Sequence, residues 1–87
     1  MWHLYLLECT NGALYTGIAI DVAARYEKHV SGKGAKYTRA NPPIKIIGIR
    51  AFPDRSSASK AEYQVKQLPP KDKLKYFLTN ALTNDCG

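Results

Sequence analysis

From Trp2 to Glu8 aromatic and aliphatic residues crowd together, Thr10-Asn11-Gly12 interrupts them, and Ala13 to Ile18 resumes the run. Two strands joined by a tight turn are the expected outcome, because such residues fit a pleated surface and an Asn-Gly pair tolerates the backbone a hairpin needs. Asp21 can then cap a helix from Val22 to about Ser31, its carboxylate accepting from first-turn amides that lack helical partners. Ser31-Gly32-Lys33-Gly34 breaks that helix. Asn41-Pro42-Pro43 forces extended backbone into Ile44 to Phe52, where β-branched residues predict a third strand.

Beyond Pro53 the apolar period lengthens. Ala58, Ala61, Val65 and Leu68 recur at helical spacing, with Asp54 or Ser56 as the cap, and Pro69-Pro70 closes the pattern. A further helix from Lys71 to about Thr79 is expected to turn Leu74, Phe77 and Leu78 toward the core. The predicted architecture is α+β: a three-stranded, mostly antiparallel sheet with helices packed on it. One domain over residues 1–79 and a short polar C-terminal tail over 80–87 account for all 87 residues.

Strand alternation makes the hairpin register decisive. A two-residue loop, Asn11-Gly12, would pair Tyr15 with Glu8 and send Tyr5 and Tyr15 to opposite faces. A three-residue loop, Thr10 to Gly12 with Gly12 left-handed, would pair Tyr15 with Leu7. Only then do both tyrosines share a face.

Composition adds one strong clue. The chain carries a net charge of +6, and the window from Arg25 to Arg50 holds all of it, with seven basic residues against Glu27 alone. Charge concentrated in one segment is what a polyanion-binding surface requires, so nucleic acid is the leading partner. Cys9 and Cys86 lack ligand-like spacing to a histidine and read as free thiols. No apolar run approaches a membrane span, and a cytoplasmic protein with no membrane and no obligatory protein partner is expected.

Five phrases give the chain a family likeness: Trp2-His3-Leu4-Tyr5-Leu6-Leu7-Glu8-Cys9, Leu14-Tyr15-Thr16-Gly17-Ile18, Arg25-Tyr26-Glu27-Lys28-His29, the run from Gly32 to Arg39, and Ala61-Glu62-Tyr63. In order and spacing they resemble the GIY-YIG nuclease superfamily, and they are most similar to its small bacterial single-domain members. The resemblance implies metal-dependent cleavage of phosphodiester bonds in DNA, with structured or damaged DNA as the substrate and RNA as the other nucleic acid to consider. Tyr5 and Tyr15 match the signature tyrosines, Arg25 the phosphate-binding arginine, His29 the position four residues on, and Glu62 the metal-ligating glutamate. Gly17 matches the signature glycine and has a structural role.

The chemistry of these residue types agrees. Arg25 offers a permanent charge and a fork of donors for phosphate oxygens. Glu62 can hold Mg2+ or Mn2+ with waters and substrate oxygens completing the shell. Tyr15 is the candidate general base, and His29, one helical turn from Arg25, is its rival or a proton relay. Lys28, Lys33, Lys36, Tyr37, Arg39 and Lys45 are the expected nucleic-acid contacts. Each catalytic candidate also has a plain structural alternative: Arg25 pairing with Asp21, Glu62 with Lys66, Tyr15 as a half-buried strand tyrosine, His29 as a partly exposed helix histidine. A nucleic-acid-binding module on the same fold without catalysis is the alternative for the whole chain.

Overall fold

A computed structural model of the chain describes the backbone of residues 1–86 and the side chains of residues 1–78. Strands β1 (Trp2–Cys9), β2 (Leu14–Ala19) and β3 (Pro43–Phe52) form one sheet in the order β2-β1-β3. Central β1 runs antiparallel to both neighbours. The three-residue turn is the one adopted: Cys9 N–H donates to Ala13 O at 2.9 Å, Gly12 has φ of 82°, and Leu7 pairs with Tyr15. Asn11 Oδ1 accepts from Ala13 N–H at 3.1 Å, which fixes the turn from within. Tyr5 and Tyr15 therefore share a face.

Alternation along β1 builds two layers. Leu4 and Leu6 point to one side and pack with Ala61 and Val65 of α3 (Arg55–Lys66) and Phe77 of α4 (Pro70–Cys86). Both leucines are fully buried, a contribution of roughly 2 kcal/mol each. Phe77 lies flat on Gly48 of β3, where a Cβ would come within 2.7 Å of the ring. Tyr5 and Leu7 point the other way and pack with Val22 of α1 (Val22–Val30).

The caps form as their sequences suggest. Asp21 Oδ1 accepts from Ala24 N–H at 3.0 Å to start α1. Asp54, rather than Ser56, starts α3, accepting from Ser57 N–H at 2.8 Å. Gly32, with φ of 81°, ends α1, and Lys33 N–H returns to Lys28 O at 2.9 Å.

Three features depart from the sequence pattern. A short helix α2 (Lys36–Ala40) follows the glycine break, where no periodic run is long enough to signal it. Leu74 and Leu78 are 37% and 62% exposed, so Phe77 alone of the three expected residues is buried. Tyr76 accompanies it by meeting Arg50 of β3, and packing through adjacent positions 76 and 77 turns 74 and 78 outward. Finally, helical backbone continues to Cys86 instead of stopping near Thr79, since no Pro or Gly intervenes. Gly87 lies outside the described residues.

Candidate active site

Tyr5 stands directly opposite Gly17 in the sheet. Its ring crosses that glycine closely enough that a Cβ there would fall within 2.6 Å of Tyr5 Cζ. The bare backbone of β2, an edge strand, thus forms the floor on which the phenol rests. At its far end the Tyr5 hydroxyl meets His29 Nε2 at 3.0 Å.

His29 and Val22 are the buried residues of α1, seven positions apart and so on one helical stripe. The imidazole is wholly enclosed, not partly exposed as a surface-helix histidine would be. Its Nδ1 meets Thr38 Oγ1 of α2 at 2.7 Å, and Thr38 Oγ1 donates to Ala35 O at 2.9 Å. The directions follow from counting protons. A threonine hydroxyl has one hydrogen, and Ala35 O can only accept, so Thr38 must accept from His29 Nδ1–H. Burial, with Arg25 adding to it, lowers the His29 pKa below its ordinary value, so the ring is neutral near pH 7. Nε2 therefore presents a lone pair, and Tyr5 O–H donates to it.

Other groups converge on the same hydroxyl. Burial raises the Tyr5 pKa above the ordinary phenol value, a hydrogen bond from the Arg25 side chain works against that rise, and the nearby Tyr15 and Glu62 add to it. Tyr5 is thus a protonated phenol at neutral pH, giving its hydrogen bond to His29 with the Arg25 charge nearby. Tyr15 sets its ring edge against His29, centroids 5.2 Å apart, and lies nearly parallel to Tyr37 at 6.3 Å. Tyr37 Oη in turn accepts from Asn11 Nδ2 at 3.0 Å, joining α2 to the hairpin turn.

Glu62 comes from α3, in the opposite layer, and its charge still reaches Tyr5. Its carboxylate pairs with Lys66 Nζ at 3.3 Å, the helical pair anticipated as its structural alternative. Among the described residues no group of three or more His, Cys, Asp or Glu side chains gathers to cage a metal. Glu62 is one partly exposed carboxylate, a donor suited to a hydrated Mg2+ or Mn2+ that takes its other ligands from water and substrate.

The basic candidates divide. Lys28 lies on α1, Lys33 on the connecting loop, and Lys36, Tyr37 and Arg39 on α2, all exposed and beside the elements that carry His29 and Thr38. Lys45 is not brought to them. It pairs with Glu8 at 3.4 Å, on the sheet face that carries Leu4 and Leu6. A shallow concavity of about 500 Å³ between His3, Ile20, Asp21, Val22 and Ile49 includes none of the site residues.

Thr38 and Gly34 escape the sequence reading. A Cβ at Gly34 would come within 2.9 Å of His29 Cε1, so the missing side chain lets the loop close over the imidazole. Both lie in the Gly32 to Arg39 phrase, whose lysines and arginine draw attention first.

Two tyrosines on neighbouring strands share a face with the buried histidine of α1, and Arg25 and Glu62 both act electrostatically on Tyr5. The chain belongs to the GIY-YIG nucleases: the GIY-YIG catalytic domain matches residues 1–75. It is 47% identical over 81 residues to a UPF0213 protein of Xanthomonas campestris, covering 93% of this chain and 79% of that one. To a UPF0213 protein of Cupriavidus pinatubonensis it is 51% identical over 75 residues, 86% and 83% of the two chains. Among solved structures, a UPF0213 protein of Bacillus halodurans aligns with a TM-score of 0.54 and 44% identity over 87% of this chain and 82% of that one. A protein of E. faecalis aligns with a TM-score of 0.64 and 40% identity, over 92% and 85%.

Proposed function

We propose that this protein is a divalent-metal-dependent endonuclease that hydrolyses phosphodiester bonds in DNA, with structured or damaged DNA as its substrate. The observation that carries this reading is the Tyr5 hydroxyl, which donates to a neutral, buried His29 at 3.0 Å within electrostatic reach of Arg25. That arrangement gives a phenol a destination for its proton. Arg25 neutralises the non-bridging oxygens of the scissile phosphate. Tyr5 is only 1% exposed, so substrate binding has to open its hydroxyl to the attacking water, which then loses a proton to Tyr5 Oη while the proton of Tyr5 passes to His29 Nε2. The resulting oxygen nucleophile bonds to phosphorus, the bond to the leaving oxygen breaks, and that oxygen takes a proton from solvent.

The geometry favours Tyr5 over Tyr15 for this transfer, because Tyr5 is the tyrosine hydrogen-bonded to an acceptor within the site. His29, fully buried, acts through Tyr5 and does not meet water. Tyr15 orients the imidazole with its ring edge and faces the substrate beside Tyr37. Glu62 would hold the Mg2+ or Mn2+, whose charge lowers the barrier by relieving charge on the phosphate and leaving oxygen. Lys28, Lys33, Lys36 and Arg39 bind backbone phosphates without reading bases, a surface that RNA would meet equally well.

No helix among the described residues is long and apolar enough to cross a membrane. The cytoplasm is the proposed site of action.

The Glu62–Lys66 ion pair favours a second reading, a nucleic-acid-binding module without catalysis. Incubating the protein with linear, flapped, forked and four-way DNAs in Mg2+ or Mn2+ separates the two. Cleavage by wild type, reduced by about 10³-fold or more in Glu62→Gln with DNA affinity kept or raised, is the expected result. DNA binding with no cleavage of any substrate would leave the binding module in place of the nuclease.

A further inference from the structure

We infer that Thr38 is a positioning residue that sets the tautomer of His29, and through it the direction of the Tyr5 hydrogen bond. A neutral imidazole has two tautomers, and only the one with a bare Nε2 can receive the Tyr5 proton. Nothing in the Tyr5 contact itself selects that form, since a phenol hydroxyl donates and accepts equally well. The selection comes from the other side of the ring.

Thr38 is 0% exposed, and its hydroxyl hydrogen is committed to Ala35 O at 2.9 Å. The carbonyl has no hydrogen to offer, so the threonine oxygen faces Nδ1 as an acceptor. If His29 carried its proton on Nε2, Thr38 would have to turn its hydrogen from Ala35 O to Nδ1, 2.7 Å away, leaving Ala35 O with Arg39 N–H alone and the buried Tyr5 O–H without its acceptor. Gly34 sits on the same edge of the ring, where even a Cβ would collide with Nδ1 and Cε1. Tyr5, His29, Thr38 and Ala35 thus form one directed chain from the site to a main-chain carbonyl. It begins at the hydroxyl whose titration the Arg25 charge influences.

The effect on rate rests on the nuclease reading, whereas the tautomer does not. With Nε2–H, His29 would donate to Tyr5 and could not take its proton. The cleavage pathway through Tyr5 would close while the DNA surface stayed intact.

The test combines nitrogen-15 NMR of the His29 ring at pH 7.5 with cleavage and binding of a DNA substrate. Wild type is expected to show the Nδ1–H form. Thr38→Val removes the acceptor and should shift the ring toward Nε2–H, lower kcat by about 10²-fold and leave DNA affinity within about twofold. Thr38→Ser keeps the hydroxyl and should restore both the tautomer and the rate to within a fewfold of wild type. Nε2–H in wild type would overturn the inference, as would an unchanged tautomer in Thr38→Val. Should Thr38→Val not fold, the wild-type and Thr38→Ser spectra still decide. Should wild type cut no DNA, the nuclease reading fails, and the ring spectrum decides the role of Thr38 by itself.

Discussion

Along β1, Leu4 and Leu6 enter one layer and Tyr5 and Leu7 the other, and the two layers are held by different forces. On the first side Ala61, Val65 and Phe77 close over the leucines by apolar contact. On the second, His29 and Thr38 are as deeply buried as any leucine, yet each polar atom is matched to a partner in a chain ending on Ala35 O. Buried polar groups are tolerated when every hydrogen has an acceptor and are costly otherwise. The first layer gives the contrary example: Thr16 Oγ1 is buried there with no partner. One strand therefore supplies stability to one side and directed chemistry to the other.

The sharpest way to break that division is to truncate one residue on each side. Leu6→Ala should cost about 3 kcal/mol in urea unfolding while any folded protein keeps its cleavage rate per molecule. Tyr5→Phe leaves His29 Nε2 without its donor and should cost about 1–2 kcal/mol, less than the leucine truncation, while lowering cleavage by roughly 10³-fold. If both variants lose stability and activity in proportion, the two faces do not separate.

A pH series sharpens the comparison from the polar side. The folded chain holds the His29 pKa below its ordinary value, whereas the unfolded chain binds that proton near pH 6.5. Below that point the unfolded state binds more protons, so folding stability falls as pH falls, by up to about 1.4 kcal/mol per unit for this one group. Comparing urea midpoints at pH 7.5 and 5.5, wild type should lose more than His29→Gln. An equal loss in both would place the pH sensitivity elsewhere.

Salt dependence tests which face meets the polyanion. Five cations on the α1 and α2 side, Arg25, Lys28, Lys33, Lys36 and Arg39, predict a slope of log K against log salt of roughly −4.5 on duplex DNA. Lys36→Ala should make the slope shallower by about one unit on every sequence, and Lys45→Ala should leave it unchanged. Equal effects from the two would mean that DNA contacts both faces. The smallest expected effect belongs to Thr16→Val, which removes the unpaired hydroxyl and should raise stability by about 1 kcal/mol without altering cleavage.

Much of this organisation is legible in the sequence because local chemistry enforces it. Asp21, Gly12 and Asp54 act on neighbours within a few residues, so their effects can be read from spacing. The shared face of Tyr5 and Tyr15 reduces to a choice between two loop lengths, which the left-handed Gly12 decides. The His29–Thr38 contact spans nine residues across a glycine loop and a one-turn helix, and no periodicity records it. Lys45 misleads for a related reason. It belongs to the basic window by position along the chain, but β3 irregularities near Leu6/Leu7 and Glu8/Cys9 and its pairing with Glu8 place it on the other face. Leu74 and Leu78 fail likewise, since composition cannot say which stripe of α4 meets Gly48.

Gly17 makes the function separable from the fold by the smallest possible change. Its backbone is ordinary strand, so alanine would be accepted there without backbone strain, and the added methyl would occupy the space of the Tyr5 phenol. The ring would have to tilt off the sheet, carrying its hydroxyl away from His29, while the leucine layer beneath and the lysines on α1 and α2 stayed in place. On the proposed nuclease reading, a single methyl group would separate cutting the polymer from holding it.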